Sequence, residues 1–302
     1  NKPQLVSGMT PVKWNGTTWI DTTASDLDWY DYDTKKWANA RTADGSMWVW
    51  IPRYIYKIST NWHTNTAGTM DIVFSKGLND NWNSAVIGNI DSGTTSNSSN
   101  NKWTNHPAFT FGSTELYGIW VAKFEATASE GVVNPYTTDG SCGSTADNVT
   151  TKTIKVSPNV TSWRCLSISN AFVNARNMET NSIYGWVTAS GLQSNGAFTS
   201  DTNKFDTHLM KNIEWGAAVY LSKSIYGKNT EEVYVNNSQT FTTGCSGNAA
   251  TSGAYNGCQN VYSSTNGAKA STTGTIYGIY DLSGGAWEYQ SAYVNNGNTG
   301  QG

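Results

Sequence analysis

The sequence predicts an α+β fold of many short strands and two helices, and two observations lead to this expectation: composition and periodicity. Trp, Tyr, Asn, Thr and Gly are abundant whereas Lys and Glu are scarce, which suits strands and long loops better than helices. Most apolar segments alternate with a period of two, and only two stretches show the helical period. Two helices among many short strands indicate an α+β domain and not a series of βαβ units.

The chain carries little charge: 14% of its 302 residues are charged, against roughly 25% in ordinary soluble domains. Its net charge of −3 is spread thinly, and no basic stripe is present to neutralise phosphates, so the sequence argues against nucleic-acid binding. No apolar run approaches the roughly 18 residues that span a bilayer. We therefore expect no membrane span, and the Asn- and Thr-rich composition is typical of extracellular adhesive proteins.

The first 45 residues are rich in aromatic side chains and are expected to form an N-terminal strand or arm segment outside the main domain, 46–302. Residues 12–20 alternate around Asn15-Gly16, a strong signal for a β-hairpin. The opening Asn1-Lys2-Pro3 indicates a mature terminus, left after a leader or anchor was removed.

Three further segments are predicted strands. Residues 47–52 form a buried strand that ends at Pro52, residues 53–57 continue in alternation, and residues 116–127 alternate again. Polar insertions are expected near 60–106 and 129–152, because both regions are rich in Asn, Thr and Gly.

The two helical stretches each have an apolar face. The first, 167–178, places on that face Ile168, Ala171, Phe172 and Ala175. The second, 208–222, places there Met210, Ile213, Ala217 and Leu221. From Tyr226 onward we expect short strands and long polar loops.

The four cysteines lie in two local pairs, Cys142 with Cys165 and Cys245 with Cys258. Four cysteines allow three connectivities, and four free buried thiols are a further alternative. We favour the two local bridges, because each closes a short loop and would contribute about 3 kcal/mol. Neither pair has the CxxC spacing of a zinc site, and the three histidines are scattered along the chain.

Catalytic motifs are missing from the sequence: it has no Gly-x-Ser-x-Gly elbow, no Walker loop and no His-Glu-x-x-His. The paired carboxylates Asp26/Asp28 and Asp31/Asp33 suit either calcium binding or turn capping, and we favour turn capping. We therefore expect no cofactor and no resident metal, with calcium as the weakly supported alternative.

The abundant aromatic residues have two interpretations, a core or a ligand-contacting surface. Trp48, Trp50 and Trp120 lie in alternating strands and are expected in the core. Aromatic residues flanked by Asn, Ser or Gly are the candidates for ligand contact, namely Trp62, Trp82, Trp103, Tyr255 and Tyr262.

Five segments, in order, resemble landmarks of the formylglycine-generating-enzyme (sulfatase-modifying factor) family. These segments are 47–52, 119–127, 158–163, 208–215 and 278–289. The last, Gly-Ile-Tyr-Asp-Leu-Ser-Gly-Gly-Ala-Trp-Glu-Tyr, is the most similar to its counterpart in the family, "GLYDMSGNVWEW". The resemblance covers residues 46–290 and implies a C-type-lectin-like fold, a scaffold that also serves surface-displayed binding proteins.

The resemblance implies structural anchors but not the family's chemistry. The implied scaffold anchors are Trp50, Trp163, Trp215, Asp281, Trp287 and Glu288. The family's reactive cysteines follow its Trp-Glu-Trp motif, and the C-terminal part of the family fold that holds them has no counterpart in these 302 residues. Gly285 stands where the family has Asn, which weakens a calcium site there. The scaffold therefore carries over and the catalysis does not.

These observations favour a non-catalytic extracellular protein for recognition or adhesion, displayed on a cell surface, filament or virion, as phage receptor-binding proteins are. Its partner would be a glycan or a protein surface. The alternative is a structural subunit of an extracellular filament, similar to a pilin, in which the 1–45 segment docks on an identical neighbour by strand addition. A formylglycine-type oxidase is the third interpretation.

Overall fold

The structure, a computed structural model, describes residues 2–58, 60–61, 64–84, 86, 90–91, 103–132, 142, 144–186 and 205–291. Its strands are β1 Thr10–Trp14, β2 Trp19–Asp21, β3 Asn39–Arg41, β4 Met47–Pro52, β5 Tyr54–Ile58, β6 Met70–Phe74, β7 Ile90–Asp91, β8 Trp103–Asn105, β9 Thr110–Phe111, β10 Thr114–Glu115, β11 Gly118–Ala122, β12 Ala126–Ala128 and β13 Ile154–Val156. Its α-helices are α1 Ile168–Asn177 and α2 Asn212–Ser222. The 3₁₀ turns are Pro107–Phe109, Met178–Thr180, Ser182–Tyr184 and Gly267–Ala270.

A five-stranded antiparallel sheet with the order β11-β4-β3-β1-β2 is the centre of the fold. The predicted hairpin forms around Asn15-Gly16, with Lys13 opposite Ile20. The expectation of a separate arm over residues 1–45 is wrong, because β1 pairs with β3 and β3 pairs with β4. Trp29 and Trp37 of this segment are fully buried in the main core.

The predicted insertion near 60–106 supplies part of a second sheet, with the order β6-β5-β8-β7. β5 pairs antiparallel with both β6 and β8, and Ile55 lies opposite both Val73 and Asn105. The sequence indicated β5 correctly but not its neighbours, because β6 and β8 are embedded in polar sequence. Two shorter pairs complete the described strands, β9 with β10 and β12 with β13.

Both predicted helices form, and each begins at a local capping contact. The Ser167 hydroxyl accepts a hydrogen bond from the Asn170 backbone N–H at the start of α1. The Glu214 carboxylate accepts one from the Lys211 backbone N–H at the start of α2, at 2.8 Å. Ala217 and Leu221 of α2 are fully buried, as predicted.

The predicted apolar face of α1 is only partly correct. Ala175 is buried, but Ile168 and Phe172 are 50% and 46% exposed. The helix instead turns Asn174 inward, where its side-chain amide donates to the Val149 carbonyl at 2.7 Å. A polar residue with a specific backbone partner has therefore displaced two apolar residues from the buried face.

Lys123, directly after β11, is fully buried, and no carboxylate of the described residues forms an ion pair with it. Its ammonium group donates to the carbonyls of Ile276 and Gly278 at 2.7 and 2.8 Å. The same group lies 4.9 Å from the ring centre of Trp19. Burial holds the pKa of Lys123 well below its ordinary value. The two carbonyl groups thus connect the central sheet to the C-terminal segment, and the Trp19 ring, from β2, adds a cation–π contact within the sheet.

The C-terminal quarter departs from expectation, since the described residues after α2 contain isolated bridges and one 3₁₀ turn but no strand of two or more residues. Hydrogen bonds made by side chains hold the segment after α2 in place. The buried Asp281 carboxylate accepts from the backbone N–H of Gly244 at 2.9 Å and from the Asn236 amide at 2.9 Å. In the segment after α2, side-chain hydrogen bonds hold the turns in place of backbone hydrogen bonds between strands.

Both predicted disulfides are present. Cys142 pairs with Cys165 and Cys245 pairs with Cys258, with Cα–Cα separations of 5.5 and 5.4 Å. The first bridge precedes α1, and the second closes a loop beside the Asp281 contacts.

The implied scaffold anchors separate into two groups. Trp50 and Asp281 are each 2% exposed and are anchors, and Trp163 and Trp215 are half-buried. Trp287 is 99% exposed, so its assignment as a core anchor is wrong, and Glu288 is also exposed as a residue. Among the described residues, nothing covers the Trp287 ring, so the motif alone is not enough to bury it.

Truncation of the two tryptophans tests this division. Trp50→Ala should lower the free energy of unfolding by roughly 3–5 kcal/mol, because a large buried ring leaves a cavity. Trp287→Ala should change it by less than about 0.5 kcal/mol, because an exposed side chain loses almost no packing. Urea unfolding followed by circular dichroism measures both values, and equal losses in the two variants would contradict the placement of Trp287.

Candidate functional site

Of the five predicted contact aromatics, the structure buries Trp103 and leaves Tyr262 half-buried. Trp103 is 8% exposed and packs with Ile55 and Val86, although polar residues flank it in sequence. Tyr262 is half-buried and packs edge-on against Phe124, with ring centres 5.3 Å apart. The burial of Trp103 argues against ligand contact there, because tertiary contacts and not sequence neighbours decide burial. The contact role of Tyr262 stays a prediction. Trp62 lies outside the described residues.

Trp82 and Tyr255 are exposed, as predicted, at 44% and 50%. The Trp82 indole N–H donates to the Phe74 carbonyl at 2.8 Å, which fixes the ring beside β6. Tyr255 lies in the loop closed by the Cys245–Cys258 bridge, where its backbone pairs with Ser238. No described contact joins the two aromatic residues, so they do not form a common platform.

The carboxylate pairs cap turns. Asp26 accepts from the backbone N–H of Asp28 at 2.8 Å, and Asp31 accepts from that of Asp33 at 3.1 Å. Within the described part of the chain, no group of three or more His, Cys, Asp or Glu side chains is arranged to hold a metal ion.

A cleft of about 1360 Å³ lies beside the five-stranded sheet. β11 lines it along its whole length, α1 lines it with Ala171 and Ala175, and the 279–290 segment contributes several residues. Its large aromatic side chains include Trp50, Trp120, Trp163, Trp186, Phe205 and Trp287. Large apolar concavities with a few polar groups are typical of binding sites.

β11 is an edge strand of the sheet, and its open edge borders this cleft. Two hydrogen bonds show which residues of this strand bond to β4 and its extension. The Lys123 N–H donates to the Met47 carbonyl at 3.0 Å, and the Arg53 N–H donates to the Tyr117 carbonyl at 2.8 Å. The residues on the β11 side of both bonds have odd numbers, so the odd-numbered residues of β11 bond to β4. Alternate residues of an antiparallel strand direct their main-chain groups to opposite sides. The N–H and C=O groups of Trp120 and Ala122 therefore point away from β4, and no partner for them occurs among the described residues.

Exposed aromatic rings surround the cleft. Trp287, Tyr289 and Tyr117 line it and are 99%, 51% and 38% exposed. Trp120 is half-buried, and its indole N–H donates to the Gln4 carbonyl at 2.6 Å. Aromatic rings that are exposed at the border of an apolar concavity are well suited to contact a partner.

The carboxyl groups of Glu125 and Glu288 and the Arg164 guanidinium group border one part of the cleft, and the buried Asp281 carboxyl group lies behind them, bonded to the Glu125 backbone N–H. Burial raises the pKa of Asp281 to about 6, and burial together with the Asp281 charge raises the pKa of Glu125. Desolvation of the Glu288 carboxyl group and the Asp281 charge raise the pKa of Glu288 to about 7. Glu125 hydrogen-bonds the Ser162 hydroxyl, while the Arg164 guanidinium lies 3.5 Å from the Phe241 ring centre.

A second charged group borders the cleft around His208. Its imidazole hydrogen-bonds Asp206 through Nδ1 and both carboxylate oxygens of Glu214 through Nε2, at 3.0 Å. Burial alone lowers the pKa of His208, but the two carboxylates outweigh this and raise it to about 9. The imidazolium thus joins the segment before α2 to the first turn of that helix.

All five segments that carry the family resemblance contribute residues to the cleft, through Trp48, Trp120, Trp163, His208 and Trp287 among others. The sequence therefore contained a signal for this region, in the form of motifs dispersed from residue 47 to residue 289. Glu125 and Arg164 were not singled out, because nothing in their local sequence distinguishes a buried charge from an exposed one.

Comparison with known proteins finds no protein family, characterised protein or solved structure that matches this chain. In the part of the chain that the structure describes, no helix has the length and apolar character needed to cross a membrane.

The His208 contacts predict a specific pH dependence. Because the pKa of His208 is raised to about 9 from its ordinary 6.5, its contribution to stability is complete below pH 6.5 and disappears as the pH rises through 9. The loss should be on the order of 3 kcal/mol. Urea unfolding at a series of pH values should show this decline in the native chain and a flatter curve in His208→Gln.

His106 provides the matched control. It lies among Tyr54, Tyr56 and Tyr220, and burial lowers its pKa to about 4. His106→Gln should therefore leave the alkaline decline unchanged. Parallel curves for the native chain and His208→Gln between pH 6.5 and 9 would contradict the proposed role of the imidazolium.

Proposed function

We propose that this chain is a non-catalytic extracellular recognition protein, displayed on a cell surface, filament or virion, and that the cleft binds its ligand. The observation that carries this proposal is the size and lining of the cleft, about 1360 Å³ with largely apolar and aromatic walls. Sites for small molecules occupy roughly 300–1000 Å³. The cleft therefore suits a longer ligand, held mainly by apolar contact and oriented by a few charged groups.

The disulfides support the extracellular part of this proposal. Two bridges in one domain are typical of proteins that fold in an oxidising compartment. The C-type-lectin-like scaffold is part of the same proposal, and the convergence of all five resembling segments on one cleft supports it.

The cysteines also favour recognition over the oxidase alternative. Oxidation chemistry of that kind needs a reactive thiolate. All four cysteines of the chain are paired in disulfides.

The filament alternative loses its original argument, because strands β1 to β3 belong to the central sheet and are not an arm. The open edge of β11 is the feature that still favours it, since a neighbouring subunit could pair there. Negative-stain images of purified protein separate the two proposals: single particles support recognition, and ordered filaments support a structural subunit.

A cleft-filling variant tests the recognition proposal. Purified protein is screened against two panels, a display library of random nine-residue peptides and a glycan array. Ala171→Trp places a large ring in the cleft, because Ala171 lines it, and should weaken binding of the recovered ligands at least tenfold. The control is Ala146→Trp, at an exposed turn position that does not line the cleft.

Binding that both variants retain would place recognition elsewhere on the molecule. If neither panel yields a ligand that Ala171→Trp weakens, the cleft is not a recognition site and the proposal fails.

A further inference from the structure

We infer that the ligand is an extended polypeptide segment from another protein, which pairs with the open edge of β11 as a sixth strand of the central sheet. This inference rests on the proposed function, since it takes the cleft as the binding site and names the chemistry of its ligand. Strand addition to an exposed sheet edge is a general mode of peptide recognition, in which main-chain hydrogen bonds provide affinity.

The main chain of β11 supplies the first argument. Gly118, Trp120 and Ala122 each direct an N–H and a C=O away from β4, toward the cleft. Such a row of donors and acceptors matches the backbone of an extended chain, and a glycan or a lipid offers no equivalent repeat. Main-chain groups left without partners at an apolar surface are unfavourable, so a ligand that pairs with them gains more than apolar contact.

The position of the cleft supplies the second argument. A neighbouring strand lies about 4.8 Å from the edge it pairs with, and five residues of strand extend for about 17 Å. Every residue of β11 from Gly118 to Ala122 lines the cleft, so the concave space follows the whole edge. The cleft thus has room where a sixth strand would lie.

The lining also predicts the sequence of the ligand. Ile119 and Val121 direct their side chains to one face of β11, and Trp120 and Ala122 to the other, yet all four line the cleft. An added strand would therefore be covered on both faces. Strands buried on both faces are near-continuous apolar runs and do not alternate. We expect at least five consecutive apolar residues in the ligand.

This requirement argues against an occupant from within these 302 residues. The longest stretches outside the described residues, 92–102, 133–141, 187–204 and 292–302, are rich in Asn, Gly, Ser and Thr, and none contains five consecutive apolar residues. The described run Met47–Pro52 is already paired on both sides, with β3 and β11. The run within 217–221 belongs to α2.

N-methylated peptides test the inference on the ligand side. Peptides recovered from the nine-residue display library should contain the apolar run. Each peptide is then synthesised in two N-methylated forms, one with methyl groups on the odd-numbered amides and one with methyl groups on the even-numbered amides. Only one of these two sets of amides donates to β11. Methylation of that set should weaken peptide binding at least tenfold, and methylation of the other set should change the affinity less than about threefold. Equal tolerance of methylation in both sets would overturn strand pairing.

A proline variant tests it on the protein side. Ala122→Pro removes an N–H that faces the cleft and removes no hydrogen bond to β4, so the sheet should persist while peptide affinity falls about tenfold. Asp21→Pro is the matched control, because the Asp21 N–H faces outward at the opposite edge of the sheet, on β2. Should Ala122→Pro fail to fold, the methylated peptides decide the question alone.

The outcomes distinguish this inference from the proposed function. Ligands recovered only from the glycan array, and weakened by Ala171→Trp, would overturn strand pairing and leave recognition at the cleft intact. If Ala171→Trp leaves the binding of every ligand from both panels unchanged, both strand pairing at β11 and recognition at the cleft are overturned.

Discussion

The cleft depends on the buried carboxylate of Asp281, which holds three chain segments together. It accepts hydrogen bonds from the Glu125 backbone N–H at 3.2 Å, from Gly244 at 2.9 Å and from the Asn236 side chain at 2.9 Å. A carboxylate so deeply buried is tolerated only with such donors, because its desolvation is costly. The backbone of Asp281 is left-handed, with a φ of 65°.

The consequences of this contact reach the open edge of the sheet. Glu125 follows β11 by three residues, so the bond to Asp281 fixes the end of that strand relative to the 279–290 segment. Lys123 adds a second link through the carbonyls of Ile276 and Gly278. The C-terminal segment therefore lies at the cleft without pairing with β11, and the strand retains an open edge in the described structure.

Local signals in the sequence were sufficient for elements whose partners are close along the chain. The hairpin at Asn15-Gly16, strand β4, both helices and both disulfides follow from turn residues, periodicity and cysteine spacing. The role of residues 1–45 was not predictable in this way, because β1 pairs with β3 across the intervening Trp29 loop and the hairpin pattern is the same in an arm and in a sheet.

Less of the candidate site than of the fold could be predicted from the sequence. Periodicity identifies Trp120 as part of a strand, but whether that strand has one neighbour or two is a property of the whole sheet. Motif similarity placed Trp287 in the core, whereas its ring is exposed because no described segment covers it. Trp103 shows the opposite error, since polar neighbours in the sequence concealed a buried ring that packs with Ile55 and Val86.

The central claim is that β11 has an open hydrogen-bonding edge beside the cleft, and amide hydrogen exchange measured by NMR tests it directly. In the free protein, the amides of Trp120 and Ala122 should exchange much faster than those of Ile119 and Val121, whose N–H groups are bonded to β4. Equal protection of all four amides would show that the edge is already paired, and would contradict the account.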